Sequence, residues 1–231
     1  VDALIIMTRI PIPGKTKTRL MDIFTGQQCA EIHTCFLKDL FNICNIIKKD
    51  IDIYLTFTPE DSFEVIKDIT PNNIKVFPQI GDTLGDRMKN AFEYIFDKGY
   101  EKVSLIGSDV PDIQPKDIYN SFHILDKSDI CLGPTFDGGY YLIGMKTLHT
   151  RVFSSNLKWG EKSVLENTLD IANELFLKVG LVTKHRDIDT KEDIIYFKNS
   201  IKNNEFKRDV SPINTIEYLK ESWSDVCYVK R

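Results

Sequence analysis

Apolar residues along this chain follow two rhythms, compact β-branched runs and longer stretches in which an apolar side chain recurs every third or fourth position. The first run, ALIIMT at 3–8, is bounded by Arg9, Pro11, Pro13 and Gly14 and predicts a buried strand that leaves the core into a loop. From about Gly26 to Lys49 the positions Cys29, Ile32, Phe36, Leu40, Ile43 and Ile47 form one helical stripe, with Cys29 and Cys44 expected in the core. IDIYLTF at 51–57 is a second strand. Thr58-Pro59-Glu60-Asp61 after it has the capping residue, first-turn proline and early acids of a helix start. IKVFP at 74–78 predicts a strand, and Leu84, Met88, Phe92 and Ile95 a helix over 83–98 that Gly99 stops. KVSLIG at 102–107 is the next strand, and Gln114-Pro115 opens a helix carrying Ile118, Phe122 and Leu125. DICLGP at 129–134 and YYLIG at 140–144 read as strands joined through Thr135–Gly139. A capping box at Ser163–Glu166 precedes the helical positions Leu165, Leu169 and Ala172, LFLKVGLV at 175–182 returns to strand character, and a last helical region begins near Thr190.

Strands alternating with helices specify an α/β protein with a largely parallel sheet. The length of 231 residues lies between one and two typical domains, and without a linker, repeat or low-complexity tract the chain reads as one domain over 1–231. Residues 196–231, rich in Lys, Asn and Asp, form its expected peripheral helical end, with Ile213, Ile216 and Leu219 on one face.

Charge and composition narrow the function classes. A net charge of −4 provides no broad basic surface for phosphate backbones, so nucleic-acid binding is not expected. The early apolar run is too short to span a bilayer, and a soluble protein is expected. The 5 cysteines contain no C-x-x-C pair, which suggests neither a disulfide framework nor a zinc site and fits a reducing cytoplasm.

In open α/β sheets ligands bind beyond the carboxyl ends of the strands, so the loops there are the places to look for chemistry. RIPIPGKTKTRL at 9–20 gathers Arg9, Lys15, Lys17 and Arg19 around Gly14 and suits phosphates. It is not a Walker A loop, because the earlier glycine of that motif would fall at Arg9. QIGDTLGDRM at 79–88 carries Gly81 and Gly85, which can admit a ligand close to the backbone or simply turn the chain, followed by Arg87. GSDVPD at 107–112 sets Asp109 at a strand mouth, where a carboxylate can bind Mg²⁺ or Mn²⁺ or can organise the turn before Pro111. In GPTFDGGYYLIG at 133–144, Asp137-Gly138 reads locally as a hairpin turn. Thr190 and Asp193 pair as a helix cap, leaving Asp187 and Asp189 as candidate metal or phosphate-site acids. The four histidines have no ligand spacing, and His33 on its helix reads as structural. No G-x-S-x-G nucleophile motif is present.

In order, P-x-x-G-x-x-K-T-R-L at 11–20, Q-x-G-x-x-L-G-x-R-M at 79–88, L-I-G-S-D-x-P at 105–111, G-P-x-x-D-G-G-Y-Y-L-I-G at 133–144 and D-I-D-T-x-E-D at 187–193 resemble the radical-SAM/selenodomain-associated, arsenosugar-biosynthesis-type glycosyltransferases. That family is similar to 2-phospholactate guanylyltransferase and to the molybdenum-cofactor guanylyltransferases. The resemblance implies a three-layer, Rossmann-like GT-A (nucleotide-diphospho-sugar transferase) fold with a mainly parallel mixed sheet. It implies sugar transfer from a nucleotide-diphosphate sugar to a small acceptor, assisted by Mg²⁺ or Mn²⁺. Gly14, Lys17 and Arg19, with Arg9 beside them, would embrace the nucleotide phosphates, and Gly81, Gly85 and Arg87 would face base and ribose. Asp109 would be a metal ligand, Asp189 a second, and Asp137 the acceptor-side acid and candidate general base. The chain departs from the family pattern at Arg9, often lysine, and at Thr83, often aspartate. The D-x-D signature of many GT-A enzymes is reduced to Ser108-Asp109-Val110. Nucleotidyl transfer from a nucleoside triphosphate to a phosphorylated acceptor, with pyrophosphate released, is the alternative, and noncatalytic nucleotide binding a third.

Overall fold

The computed structural model describes residues 1–49, 51–153, 164–203 and 208–223. Seven strands form one sheet: β1 (Asp2–Arg9), β2 (Ile51–Thr58), β3 (Lys75–Pro78), β4 (Lys102–Gly107), β5 (Ile130–Pro134), β6 (Tyr140–Met145) and β7 (Val179–Leu181). Their order is β3-β2-β1-β4-β6-β5-β7. Of these strands only β6 runs against the rest, pairing antiparallel with both β4 and β5. The expected mainly parallel mixed sheet is therefore observed, and the β5–β6 connection is the hairpin that Asp137-Gly138 indicated.

Alternation along the strands divides the core into two layers, because successive side chains leave opposite faces. From β1, Leu4 and Ile6 pack with α1 (Gly26–Ile47) and α3 (Pro115–Leu125). Ala3, Ile5 and Met7 pack on the other side with α2 (Leu84–Phe96) and α4 (Val164–Glu174). Helices on both faces explain why the strands read as continuous apolar runs. The α1 stripe is buried as expected, Phe36 completely, so its truncation to alanine is of the ~3–5 kcal/mol class. Thr25 begins that helix by accepting from the Gln28 amide, while the Gln28 side chain accepts from the Thr25 amide.

The structure differs from the sequence pattern in two elements. Residues after Pro59 form short 3₁₀ turns, Glu60–Val65 and Lys67–Ile69, because only Ile66 of this stretch is fully buried and too little apolar surface supports a longer helix. The 175–182 run contributes only Val179–Leu181 to the sheet, since Phe176 takes a left-handed conformation and is 96% exposed. The capping box proposed at Ser163 and the cysteine at 227 lie outside the described residues.

Two further helices follow, α5 (Lys191–Lys202) and α6 (Ile213–Ser222). Leu219 and Trp223 join Phe24, Ile32, Phe36 and Phe197 in a third apolar cluster against α1. Asp39 of α1 caps α6 in trans, accepting from the backbone amides of Asn214 and Thr215 and from both of their side chains. Among the described residues no helix is long and apolar enough to cross a membrane.

Candidate active site

The strand order reverses at β1, whose neighbours are β2 on one side and β4 on the other. Past the carboxyl ends of these strands lies a cleft of about 460 Å³, within the range of small-molecule sites. Its walls are the β1–α1 loop, the turn before α2, the step after β4, the β5–β6 hairpin and the segment between β7 and α5.

The β1–α1 loop folds as a turn in which the Lys15 amide donates to the Ile12 carbonyl, with Gly14 at φ +73, a conformation that favours glycine. A 3₁₀ turn, Thr18–Asp22, then buries Leu20 and leaves Arg19 exposed at the cleft. Lys17, left-handed at φ 49, points inward, and only 4% of its side chain is exposed. Its ammonium lies 2.6 Å from Asp109 Oδ1 and donates to Asp189 Oδ1 at 2.8 Å and to the Ile188 carbonyl at 2.7 Å. Burial alone would lower its pKa, but the two carboxylates hold it above the ordinary lysine value.

Asp109 follows Ser108 directly off β4, and its carbonyl accepts from the Ile188 amide at 2.9 Å. That backbone bond brings residues far apart in sequence into one wall. Asp189 also faces Arg19 at 3.8 Å. Asp137 spends Oδ1 on its own hairpin, accepting from the Thr135 hydroxyl and the Gly139 amide, yet it borders the cleft. At the same cleft, the Thr83–Asp86 capping box starts α2 and is followed by Arg87, whose Nε donates to the Gly81 carbonyl at 2.9 Å.

The structure thus brings Arg9, Lys17, Arg19, Arg87, Asp109, Asp137 and Asp189 to one cleft. Gly14, Gly81 and Gly85 do not line it: Gly14 and Gly81 shape its turns, and Gly85 is buried in the first turn of α2. At Gly81, φ is +133, and a Cβ would fall 2.7 Å from Asp86 Cβ, so its role is the fit between the turn and α2.

Asp187, a candidate acid in the sequence without an assigned role, joins Asp109, Asp137 and Asp189 as a fourth. Burial and then the charges of Asp137, Asp189 and Asp109 push its carboxyl up to about 7. The acid-rich 187–193 run signalled its presence but nothing of its protonation. Other cleft residues were given no site role in the sequence reading, His33 being read as structural. His33, Thr8, Thr16 and Ser108 form a buried hydrogen-bonded cluster on the cleft floor. Gln79 ties β1 to β2 by donating to the carbonyls of Thr8 and Thr56. No sequence signal pointed to the floor cluster, since Thr8 ends an apolar run and His33 sits in an apolar stripe.

The donor set suits a hard cation. It is all oxygen, and four carboxylates gather there. Among the described residues no three candidate ligands converge to hold a metal by themselves. A site that holds its ion through one or two carboxylates and the phosphates of a substrate has this composition.

Residues 46–161, half of the chain, match the profile of a family described as an uncharacterized protein conserved in bacteria, DUF2064. The chain belongs to this family. A solved structure from Desulfovibrio desulfuricans G20, described as a candidate nucleotide-diphospho-sugar transferase, superposes with a TM-score of 0.85 at 29% identity over 96% of both chains. A cytidylyltransferase from Leptospira borgpetersenii shares the fold with a TM-score of 0.54 at 14% identity, over 95% of this chain and 94% of its own. The 4-diphosphocytidyl-2C-methyl-D-erythritol synthase of Anaerococcus prevotii gives 0.57 at 16% identity, over 87% of this chain and 99% of its own. No protein of curated function matches the chain. The fold is that of the nucleotide-diphospho-sugar transferases, and the structural relatives are transferases.

Proposed function

We propose that this protein is a nucleotide-dependent transferase that moves a sugar from a nucleotide-diphosphate sugar to a small acceptor. The observation that carries this reading is the meeting of opposite charges in one cleft: Arg9, Arg19 and Arg87 line it together with four carboxylates at the strand-order reversal. The similarity to the Desulfovibrio protein supports it. So do the five ordered motifs that resemble the arsenosugar-biosynthesis-type glycosyltransferases.

In this reading the exposed guanidinium groups of Arg9 and Arg19 and the Arg87 side chain would receive the nucleotide and its phosphates. Asp109 and Asp189 would hold Mg²⁺ or Mn²⁺ together with those phosphates. Bound there, the ion would supply positive charge where the leaving diphosphate becomes more negative. Lys17 bridges the two acids and partly neutralises them. Asp137 faces the acceptor side, where its carboxylate would take the proton of an acceptor hydroxyl.

Nucleotidyl transfer with release of pyrophosphate is the second reading, favoured by the fold shared with two cytidylyltransferase-type enzymes. Both readings are tested by thermal shift with UDP, GDP, CDP, ADP, their sugars and the triphosphates, each with and without Mg²⁺ or Mn²⁺. A ligand at 100 times its Kd stabilises by ~2.7 kcal/mol, enough to register. Analysis of the released product then decides between them, nucleoside diphosphate for glycosyl transfer and pyrophosphate for nucleotidyl transfer. Absence of any nucleotide-dependent shift would remove both.

A further inference from the structure

Under the cleft a buried imidazole bridges two of its walls. His33 on α1 is 2% exposed in an otherwise apolar stripe. Its Nδ1 lies 2.7 Å from Thr16 Oγ1 in the β1–α1 loop, and its Nε2 lies 3.0 Å from Ser108 Oγ, the residue before Asp109. Thr8 Oγ1, at the end of β1, is 3.4 Å from the same Nε2.

These contacts accommodate one continuous chain of donors from Thr8 to Thr16. Thr8 Oγ1 donates to Ser108 Oγ at 2.9 Å, the closer of its two acceptors, the other being the Arg9 carbonyl at 3.0 Å. With Thr8 donating to it, the Ser108 hydroxyl has its own proton to give to His33 Nε2 at 3.0 Å. In that chain the single N–H of a neutral imidazole sits on Nδ1 and is given to Thr16 Oγ1. Burial and the nearby positive charge of Lys17 push the ring down to about 3, so it is neutral throughout the ordinary pH range. Thr16, 4% exposed and bordering the cleft, retains its own hydroxyl proton for a ligand.

We infer that His33 is a positioning residue whose Nδ1–H tautomer makes the Thr16 hydroxyl a donor aimed at an anionic oxygen in the cleft, with a diphosphate as the ligand class. The choice of diphosphate rests on the nucleotide reading above. The tautomer does not.

Long-range ¹H–¹⁵N correlation on the full chain labelled with ¹⁵N-histidine reads the tautomer directly, with the His33 signals assigned by their loss in His33→Asn. An Nδ1–H ring is expected, and an Nε2–H ring overturns the inference. Calorimetric titration then uses UDP, GDP, CDP, ADP and inorganic pyrophosphate, with Mg²⁺. The asparagine amide lies near the place of Nδ1–H, so His33→Asn is expected to bind within about threefold of the original protein. His33→Gln, whose amide takes the Nε2 place, and Thr16→Val are each expected to lose about tenfold, the scale of one hydrogen bond to a charged group. Combining His33→Gln with Thr16→Val should lose no more than either single change, because His33 acts through Thr16. Independent losses that multiply to about a hundredfold overturn the inference. Coupled losses for pyrophosphate with no nucleotide binding sink the nucleotide reading alone, whereas a protein that binds none of the five probes sinks both. Urea midpoints of each variant separate misfolding from lost binding, and the tautomer measurement needs no folded variant beyond the asparagine one.

Discussion

Replacing Lys17 with methionine removes the cation that holds the acidic wall together while keeping an unbranched chain of similar length. At an effective dielectric of about 20, an ammonium 2.6 Å from Asp109 and 2.8 Å from Asp189 gains about 6 kcal/mol of Coulomb energy from each. Desolvating a lysine that is 4% exposed returns several kcal/mol of this, so the net value is far smaller than the sum. Breaking a fully buried pair costs ~3–5 kcal/mol. The two acids here are 43% and 30% exposed and can rehydrate, which lowers the expected loss to about 2–3 kcal/mol. The left-handed backbone at residue 17 strains Met as much as Lys, so the comparison isolates the charge. Urea unfolding at pH 7 reads the loss as a lower midpoint with an unchanged slope. A second signature follows from the same geometry: Mn²⁺ alone should stabilise Lys17→Met more than the original protein, because the cation can take the ammonium's place between the carboxylates. A loss below about 0.5 kcal/mol, together with equal responses to Mn²⁺, would refute this account of the cleft.

The remaining expectations concern single carboxylates. Asp187 is held up to about 7 against an ordinary aspartate near 4, so the folded protein binds its proton over a window where the unfolded chain does not. Stability from this group is therefore complete below about pH 4 and is lost as pH rises to about 7. Asp187→Asn should flatten that slope and stabilise the protein at pH 8 by about 2 kcal/mol, half the full linkage value because the group is partly exposed. Urea midpoints between pH 4 and 8 measure it, and an unchanged slope in the variant contradicts it. Asp39→Ala strips the cap from α6 and leaves the amides of Asn214 and Thr215 without their partner. About 2–3 kcal/mol of stability should go, read by thermal unfolding, with little change in nucleotide affinity. Asp109→Asn keeps the shape of the site and removes a charge; a rate loss of about a hundredfold is expected, and the metal dependence of nucleotide-induced thermal shifts should weaken. Full activity in that variant takes Asp109 out of the mechanism.

Much of the fold was legible before any coordinates, because the signals that specify it are local. Strand runs, the α1 stripe, the Thr190–Asp193 cap and the Asp137-Gly138 hairpin each depend on residues a few positions apart. The rule that ligands gather at carboxyl strand ends picked out loops that meet in the structure, where Arg9, Lys17, Arg19, Arg87, Asp109, Asp137 and Asp189 share one cleft. What these side chains do to one another was not legible. Lys17 read as a cation for phosphates, whereas its three ammonium hydrogens meet Asp109, Asp189 and the Ile188 carbonyl. Asp187 read as a candidate site acid, but its protonation was set only when the fold buried it beside carboxylates from the end of β4 and the β5–β6 hairpin. His33 kept the spacing of a core residue, and only the meeting of α1 with Thr8, Thr16 and Ser108 made it a hub. Local propensity and periodicity decided which segments became strands and helices. The charge state and hydrogen-bond direction of the cleft were decided by tertiary structure alone, because electrostatic energies depend on distances and burial across residues that sequence order keeps far apart.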